Sequence, residues 1–134
     1  MNRSTVVAVV NSNPDVVRLL RTAIEQAGFV VVTSHIEDIK TGGVDLRAFL
    51  RDHDPKVMVY DIAPPYQESW RFLDHVKNAP EMEGRRFVIT SVNPERVRAI
   101  VGSEESVYEV VGEKDDLDAI VRAVKEASRA RPTR

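Results

Sequence analysis

Five short apolar runs punctuate this chain, each followed by a stretch patterned as a helix, and that alternation limits the fold more than any other feature. The runs fall at about residues 5–10, 29–33, 57–60, 87–90 and 107–111. The first, Val6-Val7-Ala8-Val9-Val10, is apolar at every position, as in strands covered on both faces of a parallel sheet. Five strands alternating with five helices imply such a sheet, joined by right-handed crossovers. The expected architecture is α/β: a doubly wound, five-stranded parallel sheet of order 2-1-3-4-5, the flavodoxin-like arrangement.

The intervening segments carry start and stop signals. Asn13-Pro14 is a cap followed by proline at the first helical position. The helix it opens aligns Val16, Leu20, Ala23, Ile24 and Ala27 and stops at Gly28. Residues 34–43 carry no clear periodicity, and Gly42-Gly43 breaks any helix there. A second helix is expected from about Asp45, burying Leu46, Phe49 and Leu50, with Asp54-Pro55 ending it. The third, about residues 67–78, uses Trp70, Phe72, Leu73 and Val76 and is closed by Pro80. Asn93-Pro94 repeats the cap-plus-proline device ahead of Val97, Ile100 and Val101. Asp115 or Asp116 caps a last helix that buries Leu117, Ile120, Val121 and Val124. With no repeat or linker, residues 1–134 form a single domain with its core at about 5–128.

Composition narrows the function classes. The 134 residues are 43% apolar and 30% charged, ordinary for a globular domain. No apolar stretch approaches the ~20 residues of a membrane span, and the start runs into a strand without a signal peptide. The absence of cysteine excludes disulfides and thiolate metal sites. A cytoplasmic location without membrane contact is expected. A net charge of −2 offers no general attraction to nucleic acid, so no direct nucleic-acid contact is expected.

Three strands end at or just before a residue that can bind or carry a phosphoryl group. Asp61 closes the third, Thr90 the fourth, and Lys114 lies just past the fifth. Parallel neighbours would bring a carboxylate, a hydroxyl and an ammonium to one sheet edge, where open α/β sheets hold ligands. That trio suits a phosphoryl group carried on Asp61. The first strand ends at the same crevice in Asn11-Ser12. His35, His53 and His75 lie on separate elements without ligand spacing, which favours solvated or capping roles.

In this ordered set the chain resembles the receiver domain of two-component response regulators, over about residues 5–128. The resemblance implies a (βα)5 receiver fold with Asp61, in Asp61-Ile62-Ala63-Pro64-Pro65, as phosphoacceptor. Thr90 would be the switch hydroxyl and Lys114 the phosphate-pairing lysine. Asn13-Pro14-Asp15 is similar to the end of the acidic stretch after the first strand. It also implies a Mg²⁺ site from two acidic residues at positions 11 and 12, Asp61 and the Ala63 carbonyl. Here positions 11 and 12 are Asn11 and Ser12. Mg²⁺ depends on carboxylate charge, so its binding is expected to be weak or absent. Val111 replaces the aromatic residue three positions before the lysine, and Asp115 the proline after it.

The function that follows is phosphorelay reception: phosphate from a histidine kinase or phosphotransfer protein is accepted on Asp61. Output would pass through protein–protein contact. The resemblance places the downstream partner, or a second copy, on the fourth helix, fifth strand and fifth helix, with Arg96, Arg98, Tyr108, Glu109 and Asp118 exposed. The alternative is a pseudo-receiver, an interaction domain that neither binds Mg²⁺ nor accepts phosphate. Catalysis in its own right is not expected. An aspartate-nucleophile phosphatase needs a second carboxylate two residues on, where Ala63 stands.

Overall fold

A computed structural model describes residues 5–43, 45–104, 106–112 and 117–129. The strands are β1 (Val6–Asn11), β2 (Val30–His35), β3 (Val57–Asp61), β4 (Arg86–Ser91) and β5 (Val107–Gly112). All pairings are parallel, and the sheet order is β2-β1-β3-β4-β5. The expected doubly wound topology is what forms. The three central strands are almost wholly buried, as their unbroken apolar runs require.

The helices are α1 (Pro14–Gln26), α2 (Ile36–Lys40), α3 (Leu46–His53), α4 (Tyr66–Val76), α5 (Pro94–Val101) and α6 (Leu117–Arg129), with a 3-10 turn at Pro80–Met82. One core lies between the sheet and α1 and α6, built on Val7, Val9, Leu20, Ile24, Val59, Ile120 and Val124. The other lies under α2 to α5 and centres on Val10, Leu50, Met58, Ile62, Leu73, Phe87 and Val97.

Local chemistry places the helix starts. Asn13 accepts hydrogen bonds from the Asp15 and Val16 amides, and Asn93 from the Arg96 amide. Each cap is itself held by the residue two positions earlier. Asn11 Oδ1 accepts from the Asn13 amide at 2.9 Å, and Ser91 Oγ from the Asn93 amide at 3.1 Å. Polar residues ending β1 and β4 therefore build the turns into their helices.

The structure corrects one count. Six helices are present among the described residues, because residues 36–40, expected to be irregular, form the short α2. Ile36 and Ile39 turn to the core, and the His35 ring nitrogen Nδ1 caps the Glu37 amide. Glu37 and Asp38 in its first turn and Lys40 in its last suit the helix dipole. Several ends also shift by a residue or two: β2 starts at Val30 and runs on to His35, and α4 runs from Tyr66 to Val76. Asp115 and Asp116, the expected caps of α6, lie outside the described residues.

Candidate functional site

The site is set by strand register. Asp61 pairs directly with Thr90 across β3 and β4, and Thr90 pairs with Val111 on β5. Asp61 is 5% exposed and Thr90 1%. Thr90 Oγ1 donates to Asp61 Oδ1 at 2.8 Å, a bond between two buried side chains. Asp61 has a further interaction beyond this bond. The ladder continues one step, with the Ile62 amide donating to the Thr90 carbonyl. Burial, and then the charge of the adjacent Asp61, push the Tyr60 phenol above its ordinary range.

On the other side of β3, Val10 pairs with Tyr60, which puts Asn11 level with Asp61. Asn11 is 2% exposed, and its oxygen is taken by the Asn13 amide. Ser12 is exposed at the rim. The Ala63 carbonyl accepts from Ser69 Oγ at 2.7 Å. Among the described residues, no group of three or more His, Cys, Asp or Glu side chains is placed to hold a metal ion. The Pro64-Pro65 peptide bond that follows is cis.

A cavity of about 260 Å³ opens onto Asp61 between the β1 and β3 loops, α2 and α4. Ser12, Asp61, Ala63 and Ser69 line it, together with Glu37, Lys40 and Glu68. The last three were not anticipated. The Glu37-Asp38 pair after a capping His35 was the available signal for α2, masked by Gly42-Gly43 nearby. Of the predicted residues, then, Asp61, Thr90, Asn11, Ser12 and Ala63 converge on the C-terminal edge of the sheet. Lys114 lies outside the described residues. His35 caps α2, while His53 packs at a tilt against Phe49 at the end of α3 and His75 sits in the last turn of α4.

Known structures share this fold. A sensor protein from Polaromonas sp. JS666 is 16% identical, with 94% of this chain and 97% of that one covered and a TM-score of 0.74. A response regulator from Thermotoga maritima is 17% identical, covering 96% and 100%, with a TM-score of 0.72. The signal receiver domain of an HD domain-containing protein from Pseudomonas fluorescens Pf-5 is 11% identical, covering 93% and 94%, with a TM-score of 0.71.

This chain has the receiver fold. At such identities the likeness is one of fold, and the site must be argued from its own residues. No protein-family model matches the sequence. No curated protein matches it either. Val111, standing where the resemblance expects an aromatic residue, is 5% exposed and packs in the α1–α6 core. Among the described residues, no helix is long and apolar enough to cross a membrane.

Proposed function

We propose that this chain is a receiver-type signalling domain that takes a phosphoryl group on Asp61 and passes its state on by protein–protein contact. The observation that carries this reading is the buried Thr90–Asp61 bond, 2.8 Å long, on a carboxylate that also lines a cavity large enough for a phosphoryl group. An Asp61 carboxylate oxygen would attack phosphorus, and the bond to the donor's nitrogen or oxygen would break as the donor leaves with the electron pair. The Thr90 hydroxyl would then turn its donor from the carboxylate to a phosphoryl oxygen. A histidine kinase or phosphotransfer protein is the proposed donor, with Lys114 pairing with the phosphate.

Mg²⁺ fits this donor set poorly, and we propose that it binds weakly. Asp61 is the sole carboxylate among Asn11, Ser12, Asp61 and Ala63, and one of its oxygens already accepts from Thr90. The amide oxygen of Asn11 and the carbonyl of Ala63 each accept from a protein donor. A hard cation that dehydrates reluctantly needs more charge than this.

The proposed output surface is α5, β5 and α6. Arg96, Arg98, Tyr108, Glu109 and Asp118 are all exposed there. Tyr108 is bulged out of the β4–β5 register and its hydroxyl bonds Glu126. A bulge on an edge strand re-aims one side chain and discourages edge-to-edge pairing.

A second reading, the pseudo-receiver, is favoured by Asn11. Its oxygen serves the turn into α1, so the position has a structural use without any metal. Intact mass after incubation with acetyl phosphate separates the two. A single added phosphoryl group, absent from Asp61→Ala, supports the first reading. An unmodified native chain at saturating donor leaves the second.

A further inference from the structure

The cavity that opens onto Asp61 also carries charge on its outer walls. Glu37 and Lys40 line it from α2, and Glu68 from the first turn of α4. These three side chains are exposed, whereas Asp61 is 5% exposed at the inner end. Among the described residues Lys40 forms no ion pair, with these carboxylates or with any other. Its ammonium instead rests over the Phe72 ring of α4, 5.7 Å from the centroid. At an exposed site such a contact is weak, and lysine carries its charge on a flexible four-carbon stem. The ammonium is therefore available to a stronger anion that enters the cavity.

A phosphodonor is such an anion. It has to reach the Asp61 carboxylate past Glu37 and Glu68, and all three repel it. At the end of β1, Asn11 and Ser12 add no carboxylate to hold a neutralising metal ion. Compensating charge then has to come from side chains, and among the described residues Lys40 is the one basic group lining the cavity. We propose that Lys40 is a phosphodonor-binding residue, its ammonium leaving the Phe72 ring to pair with the phosphoryl oxygens as the donor approaches Asp61. This inference rests on Asp61 being the phosphoacceptor. With acetyl phosphate, an Asp61 oxygen bonds to phosphorus and acetate leaves with the electron pair of the bond that breaks. Lys40 neither gives nor takes a proton in that step. It supplies attraction at the cavity mouth.

The test is the second-order rate constant for Asp61 labelling by acetyl phosphate, followed by intact mass. Lys40→Met should lower it about fivefold, the scale of one exposed ion pair, and Lys40→Arg should restore most of the loss. In about 1 M salt, where the Debye length is ~3 Å, the native and Lys40→Met rates should converge. Glu68→Gln should shift the rate the opposite way. Phe72→Leu removes the resting place of the ammonium but not its charge, and should label at least as fast as the native chain. A merely structural Lys40–Phe72 contact would instead make Phe72→Leu as slow as Lys40→Met. That result overturns the inference, as does an unchanged rate in Lys40→Met or a difference that salt leaves intact. These outcomes leave the reading of Asp61 standing. A native chain that takes no label at any donor concentration overturns that reading, and the role of Lys40 with it.

Discussion

Thr90→Val tests the site with the least disturbance of shape. The hydroxyl is replaced by a methyl of similar volume at a position 1% exposed, opposite a carboxylate 5% exposed. A methyl cannot donate, so the largely buried Asp61 Oδ1 loses the 2.8 Å bond. Hydrogen bonds to charged groups contribute about 1.5–3 kcal/mol. The added methyl offsets part of that, and the expected loss is about 2 kcal/mol. With a urea m-value near 2 kcal/mol/M, the unfolding midpoint should fall by about 1 M. Trp70, half-buried against the α2–α5 core, provides the fluorescence signal. In an Asp61→Ala background the same change should cost almost nothing, because both partners are then gone. A native-like midpoint for Thr90→Val, or an equal penalty in both backgrounds, would refute the claim that this bond organises the site.

Arg85 should prove a structural keystone. It donates to Asp54, to the Pro55 and Leu50 carbonyls and to the Glu81 carbonyl, tying α3 to the lead-in of β3 and the 3-10 turn. Arg85→Ala should cost about 2–4 kcal/mol in urea unfolding, and an unchanged midpoint would contradict this. Stability should fall in alkali through Tyr60. Its folded pKa is raised by burial and Asp61, so its contribution is complete below the unfolded value near 10 and is lost as pH rises through the folded value. The slope should approach about 1.4 kcal/mol per pH unit and flatten in Tyr60→Phe; equal alkaline profiles would exclude it. If Asp61 takes phosphate, the acyl phosphate should be long-lived. Ala63 and the exposed Val92 flank the site and cannot orient an attacking water. Disappearance of the mass label within seconds at neutral pH would count against this.

The frame was legible because its signals are redundant. Each buried strand is a continuous apolar run, and Asn13-Pro14 and Asn93-Pro94 announce their helices. Order and spacing then put Asp61 beside Thr90 without any distance being known. Residues 34–43 were not legible for a physical reason. A helix of one turn gives no periodicity, its cap is a histidine rather than a serine or aspartate, and Gly42-Gly43 signals a break. The cost was missing Glu37 and Lys40 on the cavity wall. Asn11 was recognised as a departure from an acidic site, but its hold on the Asn13 amide depends on a rotamer that sequence does not encode.

The central claim is a phosphoacceptor aspartate at a site where the end of β1 carries Asn11 and Ser12 in place of carboxylates. Its most direct test is the rate of Asp61 labelling by acetyl phosphate as Mg²⁺ is raised to millimolar levels, in the native chain and in Asn11→Asp/Ser12→Asp. The double substitution returns two carboxylates to the end of β1, at some cost in stability from their mutual repulsion without metal. Native labelling should be slow and nearly independent of Mg²⁺, while the double variant should label faster and saturate with the metal. Strong, saturable Mg²⁺ dependence in the native chain would contradict the account, because Asn11, Ser12 and the Ala63 carbonyl would then suffice as ligands beside Asp61.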